Sequence, residues 1–164
     1  MVRVVDMPAD RTVMLTVASW VMEEWRHMFP DDTVDWYLDV WSQASRPHSG
    51  APHAVIAVDG EDIVGTASVV VDDELPDAEE PGPWLALTWV RPDRRRRGIG
   101  TAMVRDLMRR CPDGLWLYTE SESAWYESMG WQRVRESSVN GVAVTVMSWR
   151  SRASQARSFP AEPT

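Results

Sequence analysis

Val90-Arg91-Pro92-Asp93-Arg94-Arg95-Arg96-Arg97-Gly98-Ile99-Gly100-Thr101 joins an apolar run to an amphipathic one. The run before it, Trp84-Leu85-Ala86-Leu87-Thr88-Trp89-Val90, reads as a strand. Pro92 ends that strand because it has no backbone N–H to give. After the glycines, Ile99, Ala102, Met103 and Leu107 recur on one helical face, while Arg105, Asp106 and Arg109 fall elsewhere. Pro112 closes the helix. Such a strand–loop–helix is built to hold an anion. The first helical turn carries N–H groups with no internal partner, and the helix dipole adds positive charge there. Glycines admit a phosphate close to the backbone, and arginines add charge-assisted bonds.

Two other phosphate loops do not fit. The chain lacks Gly-x-x-x-x-Gly-Lys-Ser/Thr, and it lacks Gly-x-Gly-x-x-Gly after an early strand. The loop therefore speaks against a nucleotide triphosphatase and against a dinucleotide fold.

Composition narrows the partners. The chain has 164 residues, with 17 Lys+Arg against 25 Asp+Glu, a net charge of −8. That length suits one domain, expected over residues 1–150, followed by a polar C-terminal tail over 151–164. The acidity argues against nucleic acid and suits a cationic small molecule. The single cysteine, Cys111, excludes an internal disulfide. The three histidines show no metal-ligand spacing, so no metal is expected. Without a signal-peptide pattern or a membrane-length apolar run, the expected location is cytoplasmic, with no membrane partner. Most of the ten tryptophans should be core, with a few lining a pocket.

Working outward, Val2, Val4 and Val5 suggest a first strand, and Asp10 a helix cap. Val13, Val17, Val21, Trp25 and Met28 recur at helical spacing up to Pro30. Asp32 and Asp35, at capping-box spacing, open a second helix whose face is Val34, Tyr37, Leu38 and Trp41. Ala54–Val58 and Ile63–Val71 flank the turn Asp59-Gly60 as a hairpin. Asp72–Pro83 is acidic, carries three prolines and reads as an exposed connection. Beyond the central helix come a strand at Leu115–Thr119, a short helix from a Ser121 cap to Met129 with Gly130 as its stop, and strands at Trp131–Arg135 and Val142–Trp149. Asn140-Gly141 marks the turn between the last two. No nucleophile motif such as Gly-x-Ser-x-Gly is present.

Arg95-Arg96-Arg97-Gly98-Ile99-Gly100, with Val90-Arg91-Pro92 upstream, resembles the acyl-coenzyme A signature Arg/Gln-x-x-Gly-x-Gly/Ala of the GNAT acetyltransferases. Trp125-Tyr126-Glu127-Ser128-Met129-Gly130-Trp131 resembles that family's Tyr-x-x-x-Gly-Phe/Trp. The element order β, α, α, β, β, β, α, β, α, β, β matches the family's fold. The resemblance implies an α/β (α+β) protein with a mixed, mostly antiparallel central sheet of six to seven strands flanked by about four helices. It implies acetyl-coenzyme A as co-substrate, bound by Thr88, Trp89, Val90, Arg95, Arg96, Arg97, Gly98, Ile99, Gly100 and Thr101. Leu87 to Val90 would splay from the next strand, pair with the pantetheine arm and polarise the thioester carbonyl. Tyr126 would be the general acid that protonates the leaving thiolate, a role a nearby phenol can fill. The acceptor would be a primary amine of a small molecule or a protein amino group, taken between the first two helices and the last hairpin. A homodimer is compatible with this reading.

Two features depart from the family. The asparagine often found at the start of the Tyr126 helix is absent from Thr119–Ser123, and Trp84–Val90 carries no acid to serve as base. Glu23, Glu24, His27, Glu120 and Glu122 remain as groups that could drain the amine's proton through water. The missing strand acid also keeps open an alternative: a non-catalytic or weakly catalytic acyl-coenzyme A-binding sensor or sequestering module.

Overall fold

The computed structural model describes residues 1–157. Seven strands form one sheet: β1 (Val2–Asp6), β2 (His53–Asp59), β3 (Asp62–Val70), β4 (Trp84–Val90), β5 (Leu115–Thr119), β6 (Gln132–Val139) and β7 (Val142–Trp149). Their spatial order is β1-β2-β3-β4-β5-β7-β6. Every neighbouring pair is antiparallel except β4 and β5. The helices are α1 (Arg11–Glu24), α2 (Val34–Ala44), α3 (Ile99–Arg110), α4 (Ser123–Glu127) and α5 (Arg152–Arg157).

The period-two alternation of β2 sorts the layers. Val55 and Ala57 join Met103, Val104 and Leu107 of α3 on one face. Ala54 and Ile56 join Val17 and Val21 of α1 and Leu38 and Trp41 of α2 on the other. Both faces of the sheet are thus covered, which is why β2 and β3 read as continuous apolar runs. Trp41 has no exposed surface, and its indole N–H donates to the Ser68 hydroxyl at 3.0 Å. Trp41→Phe keeps an aromatic ring but leaves that buried hydroxyl without its donor. It should cost about 1–3 kcal/mol, read as a lower urea midpoint at unchanged slope.

Three local readings of the sequence need correcting. The second helix is capped by Thr33 with no side-chain bond, because the Asp32 carboxylate instead accepts from the Tyr37 hydroxyl at 2.7 Å. The Tyr126 helix starts behind Glu122, not Ser121; the Thr119 hydroxyl accepts from the Glu122 N–H at 3.0 Å. Asp72–Pro83 is not a free connection. Leu75 is buried, and Arg135 of β6 grips Glu80 at 2.7 Å and Asp77 at 2.9 Å. The tail reading also gives way at 152–157, where α5 forms. Ser151 N–H donates to the Pro112 carbonyl at 3.1 Å, Arg157 pairs with Asp113 at 2.8 Å, and Ser154 is buried. The rest of that stretch, 158–164, lies outside the described residues.

Candidate active site

The parallel pair β4–β5 shares only one register contact, Trp84 with Trp116. Beyond it the two strands part. The cause lies in β4: two residues, Leu87 and Thr88, stand opposite the single Ala67 of β3, and Leu87 takes φ +57°. A bulge of this kind bends a strand and frees its backbone groups from the ladder. A leucine in the left-handed region is strained, a state usually held by surrounding structure and often found at functional sites. The result is a cleft of about 670 Å³ that runs from the arginine loop, past the parted strands, to the corner between α1 and α2.

At one end stands the loop. A short 3-10 turn at Pro92–Arg94 leads into α3. Arg96 takes φ +63° and Gly98, the N-cap of α3, φ +80°. Left-handed residues around a helix start turn successive N–H groups toward one side, the concave shape that receives anions. Gly100 faces Trp125; a Cβ there would sit 3.3 Å from the indole and 3.5 Å from Val90 Cγ2. The four arginines are unequal. Arg94 is held by Asp59, and this pairing is the main reason that carboxyl lies below its usual range. Arg95 donates from Nε to the Val90 carbonyl at 2.8 Å, which ties the loop to the end of β4. Arg94, Arg95 and Arg96 line the cleft; Arg97 points into a separate shallow groove beside Val2 and Asp59.

The middle of the cleft holds Tyr126. It is 8 % exposed and stacks within 4.7 Å of Trp125 and 5.8 Å of Trp131. Glu122 and Tyr126 close one turn of α4, and the Trp131 N–H donates back to the Tyr126 carbonyl at 3.2 Å. That bond explains the Tyr-x-x-x-Gly-Trp spacing: Gly130, at φ +97°, lets the chain fold back on the helix. Burial pushes the phenol up to about 12, with the Thr88 hydroxyl holding the rise down and Glu122 adding to it. Thr88 lines the cleft too, and its own buried hydroxyl makes no hydrogen bond of good geometry.

The acceptor end is built by three segments. His27, in the turn after α1, meets Glu120 at the end of β5, Nε2 to Oε2 at 2.8 Å. Sequence spacing could not join these two, which lie 93 residues apart. Glu24 and Glu122 also line the cleft, whereas Glu23 is paired with Arg26 at 2.9 Å. Asn140, in the β6–β7 turn, donates its amide to the Met28 carbonyl and fixes the last hairpin against the α1–α2 corner. Asp32, Asp73 and Glu74 form the far wall with Trp25, Trp36 and Tyr37.

Among the described residues no group of His, Cys, Asp or Glu could hold a metal ion, and no helix is long and apolar enough to cross a membrane.

A family model described as the acetyltransferase (GNAT) family matches residues 14–131. The chain is 43 % identical over 60 residues to a mycothiol acetyltransferase of Mycobacteroides abscessus, a match covering 37 % of this chain and 19 % of that protein. The chain thus spans about a fifth of the curated relative it matches. Its fold is that of an aminoglycoside 6'-N-acetyltransferase crystallised with coenzyme A, at TM-score 0.69 and 14 % identity over 90 % of this chain and 96 % of that one. Escherichia coli ElaA is also similar, at TM-score 0.65 and 13 % identity over 92 % of this chain and 100 % of that one.

Proposed function

This chain belongs to the GNAT acetyltransferase family, and from that membership we propose that it transfers an acetyl group from acetyl-coenzyme A directly to a primary amine. One observation carries the reading: a buried tyrosine faces the gap where β4 and β5 part, next to a glycine-bounded helix start.

The residues fit the coenzyme. The backbone of Gly98, Ile99, Gly100 and Thr101 and the side chains of Arg95 and Arg96 suit a pyrophosphate. Arg97, turned toward the neighbouring groove, suits an outlying phosphate or solvent. The bulged backbone at Leu87–Val90, freed from β5, suits the amide-bearing arm and leaves a donor for the thioester carbonyl. Thr88 is the one polar side chain of that stretch, and its unmatched hydroxyl faces the cleft. A preorganised donor of this kind contributes a few kcal/mol to acyl transfer.

Bound here, the coenzyme supplies an acetyl thioester; a C–N bond forms as the C–S bond breaks, and the sulfur leaves with the electron pair. Tyr126 gives its phenolic proton to that sulfur. With its pKa near 12 the phenol stays protonated across the neutral range, so the acid form is always present. The nitrogen must shed a proton in turn. His27, braced by Glu120 at the mouth of the cleft, accepts it through water. The acceptor is a small molecule or a protein amino group.

The reading is tested by amine-dependent thiol release from acetyl-coenzyme A across a panel of primary amines. Release that rises with amine concentration is expected; a flat response to every amine, with acetyl-coenzyme A still bound, would leave a binding module.

A further inference from the structure

The two ends of the cleft carry opposite charge. Arginines crowd the loop end, whereas Asp32, Asp73 and Glu74 crowd the other, with no cation among them. All 17 basic residues of the chain are arginines, and none of them pairs with these three carboxylates. Asp73 is the inner member. Its carboxylate has no hydrogen bond or ion pair, although its backbone carbonyl accepts from the Tyr118 hydroxyl at 2.8 Å. Burial, then Glu74, Asp72 and Asp32, push its carboxyl well above the ordinary range. Glu74 is raised as well, by burial and by Asp32 and Asp72.

A carboxylate half out of water with like charges beside it costs stability unless something positive meets it. The fold nonetheless holds it there. Arg135 fastens the segment at Asp77 and Glu80, Ser137 donates to Asp77 at 2.7 Å, and Tyr118 fixes the Asp73 carbonyl. Asp32 reaches the same corner from the α1–α2 turn, oriented by Tyr37. Trp36 stands edge-on to Tyr37 at 5.0 Å, so the corner is walled by rings whose faces attract cations. Four features thus converge: an unpaired inner carboxylate, an aromatic wall, a strap that fixes both, and continuity with the cleft that holds Tyr126.

We propose that this corner receives a second ammonium of the acceptor, so that the preferred substrate is a dicationic or polycationic amine with one amino group at the thioester and another against Asp73, Glu74 and Asp32. The proposal rests on the acetyl-transfer reading for the role of the first amine, and on the corner alone for the second. Arg135 is then a positioning residue for specificity, since it touches neither amine.

The test is calorimetric titration of α,ω-diaminoalkanes and of n-alkylamines of matching length, on the free protein and on its coenzyme A complex. Diamines should bind about tenfold or more tightly, the scale of one added charged hydrogen bond, with an optimum chain length. Asp73→Asn and, separately, Glu74→Gln should shrink that preference severalfold while acetyl-coenzyme A affinity stays at the wild-type value. Equal affinities for diamines and monoamines, or a preference that survives both substitutions, would overturn the proposal. Thiol release measured in parallel separates the two readings. Diamine preference without release keeps the corner and removes acetyl transfer. Release at equal kcat/KM from monoamines and diamines keeps acetyl transfer and removes the corner.

Discussion

Tyr126→Phe should lower kcat by about 10²–10⁴-fold, the usual worth of general-acid assistance, and leave KM for acetyl-coenzyme A nearly unchanged. The hydroxyl is needed only as the carbon–sulfur bond breaks, so its removal acts on the transition state rather than on binding. The fold should tolerate the change. Tyr126 packs through its ring against Trp125 and Trp131, and the phenylalanine ring preserves both contacts. No hydrogen bond of good geometry is lost, since none is made by the phenol in the free protein. Steady-state kinetics at neutral pH checks the prediction. A phenylalanine variant of wild-type kcat would assign the proton to water or another group. A pH profile adds a second reading. An acid with its pKa pushed up to about 12 remains protonated far above neutrality, so the limb that Tyr126 governs lies at the alkaline extreme and disappears in the variant.

The second large effect belongs to the loop. Gly98→Val and Gly100→Leu should each weaken acetyl-coenzyme A binding by about 10–10²-fold, equivalent to losing one or two charge-assisted hydrogen bonds. They act by different routes. At Gly98 a Cβ meets nothing within 4 Å, so space is not the obstacle. The obstacle is φ +80°, a conformation that a β-branched residue strongly resists. The helix start would shift to relieve it, and the N–H groups would move with it. At Gly100 the backbone is ordinary, but the side chain would drive into Trp125 and Val90. Titration calorimetry reads both. Wild-type affinity in the two variants together would remove the basis for placing a phosphate here.

Much of this was legible from local pattern. The arginine–glycine loop, the tyrosine–glycine–tryptophan spacing and the hairpin turns each satisfy a short-range rule, and each lies where that rule puts it. What escaped the sequence was imposed from a distance. Nothing about Leu87 announces a left-handed residue, because leucine has no intrinsic reason to be one; the bulge is forced by the pairing of β4 with β3. The acidic connection looks solvated until Arg135, more than fifty residues away, closes on Asp77 and Glu80. His27 and Glu120 read as separate surface residues until the sheet brings α1 and β5 to one cleft. The polarity of α5 hid a helix that docks through Arg157 and Ser151 rather than through an apolar face. Capping failed in two places for one reason: a side chain that could cap found a better partner, as Asp32 did in Tyr37.

The central claim is direct passage of acetyl from coenzyme to amine, and the chain lends itself to a clean measurement of it. It contains no lysine, so adventitious acylation of the protein has few places to occur. Cys111 is the one thiol; it is partly buried, burial pushes its pKa up, and it does not line the cleft. Mass spectrometry after a single turnover, with enzyme in excess over acetyl-coenzyme A and an amine present, follows the acetyl group itself. Direct transfer predicts one acetyl group on the amine nitrogen for each thiol released and an unmodified protein at every time point. Acetyl trapped on the protein before it appears on the amine, or thiol released with no acetylated amine, would contradict the account.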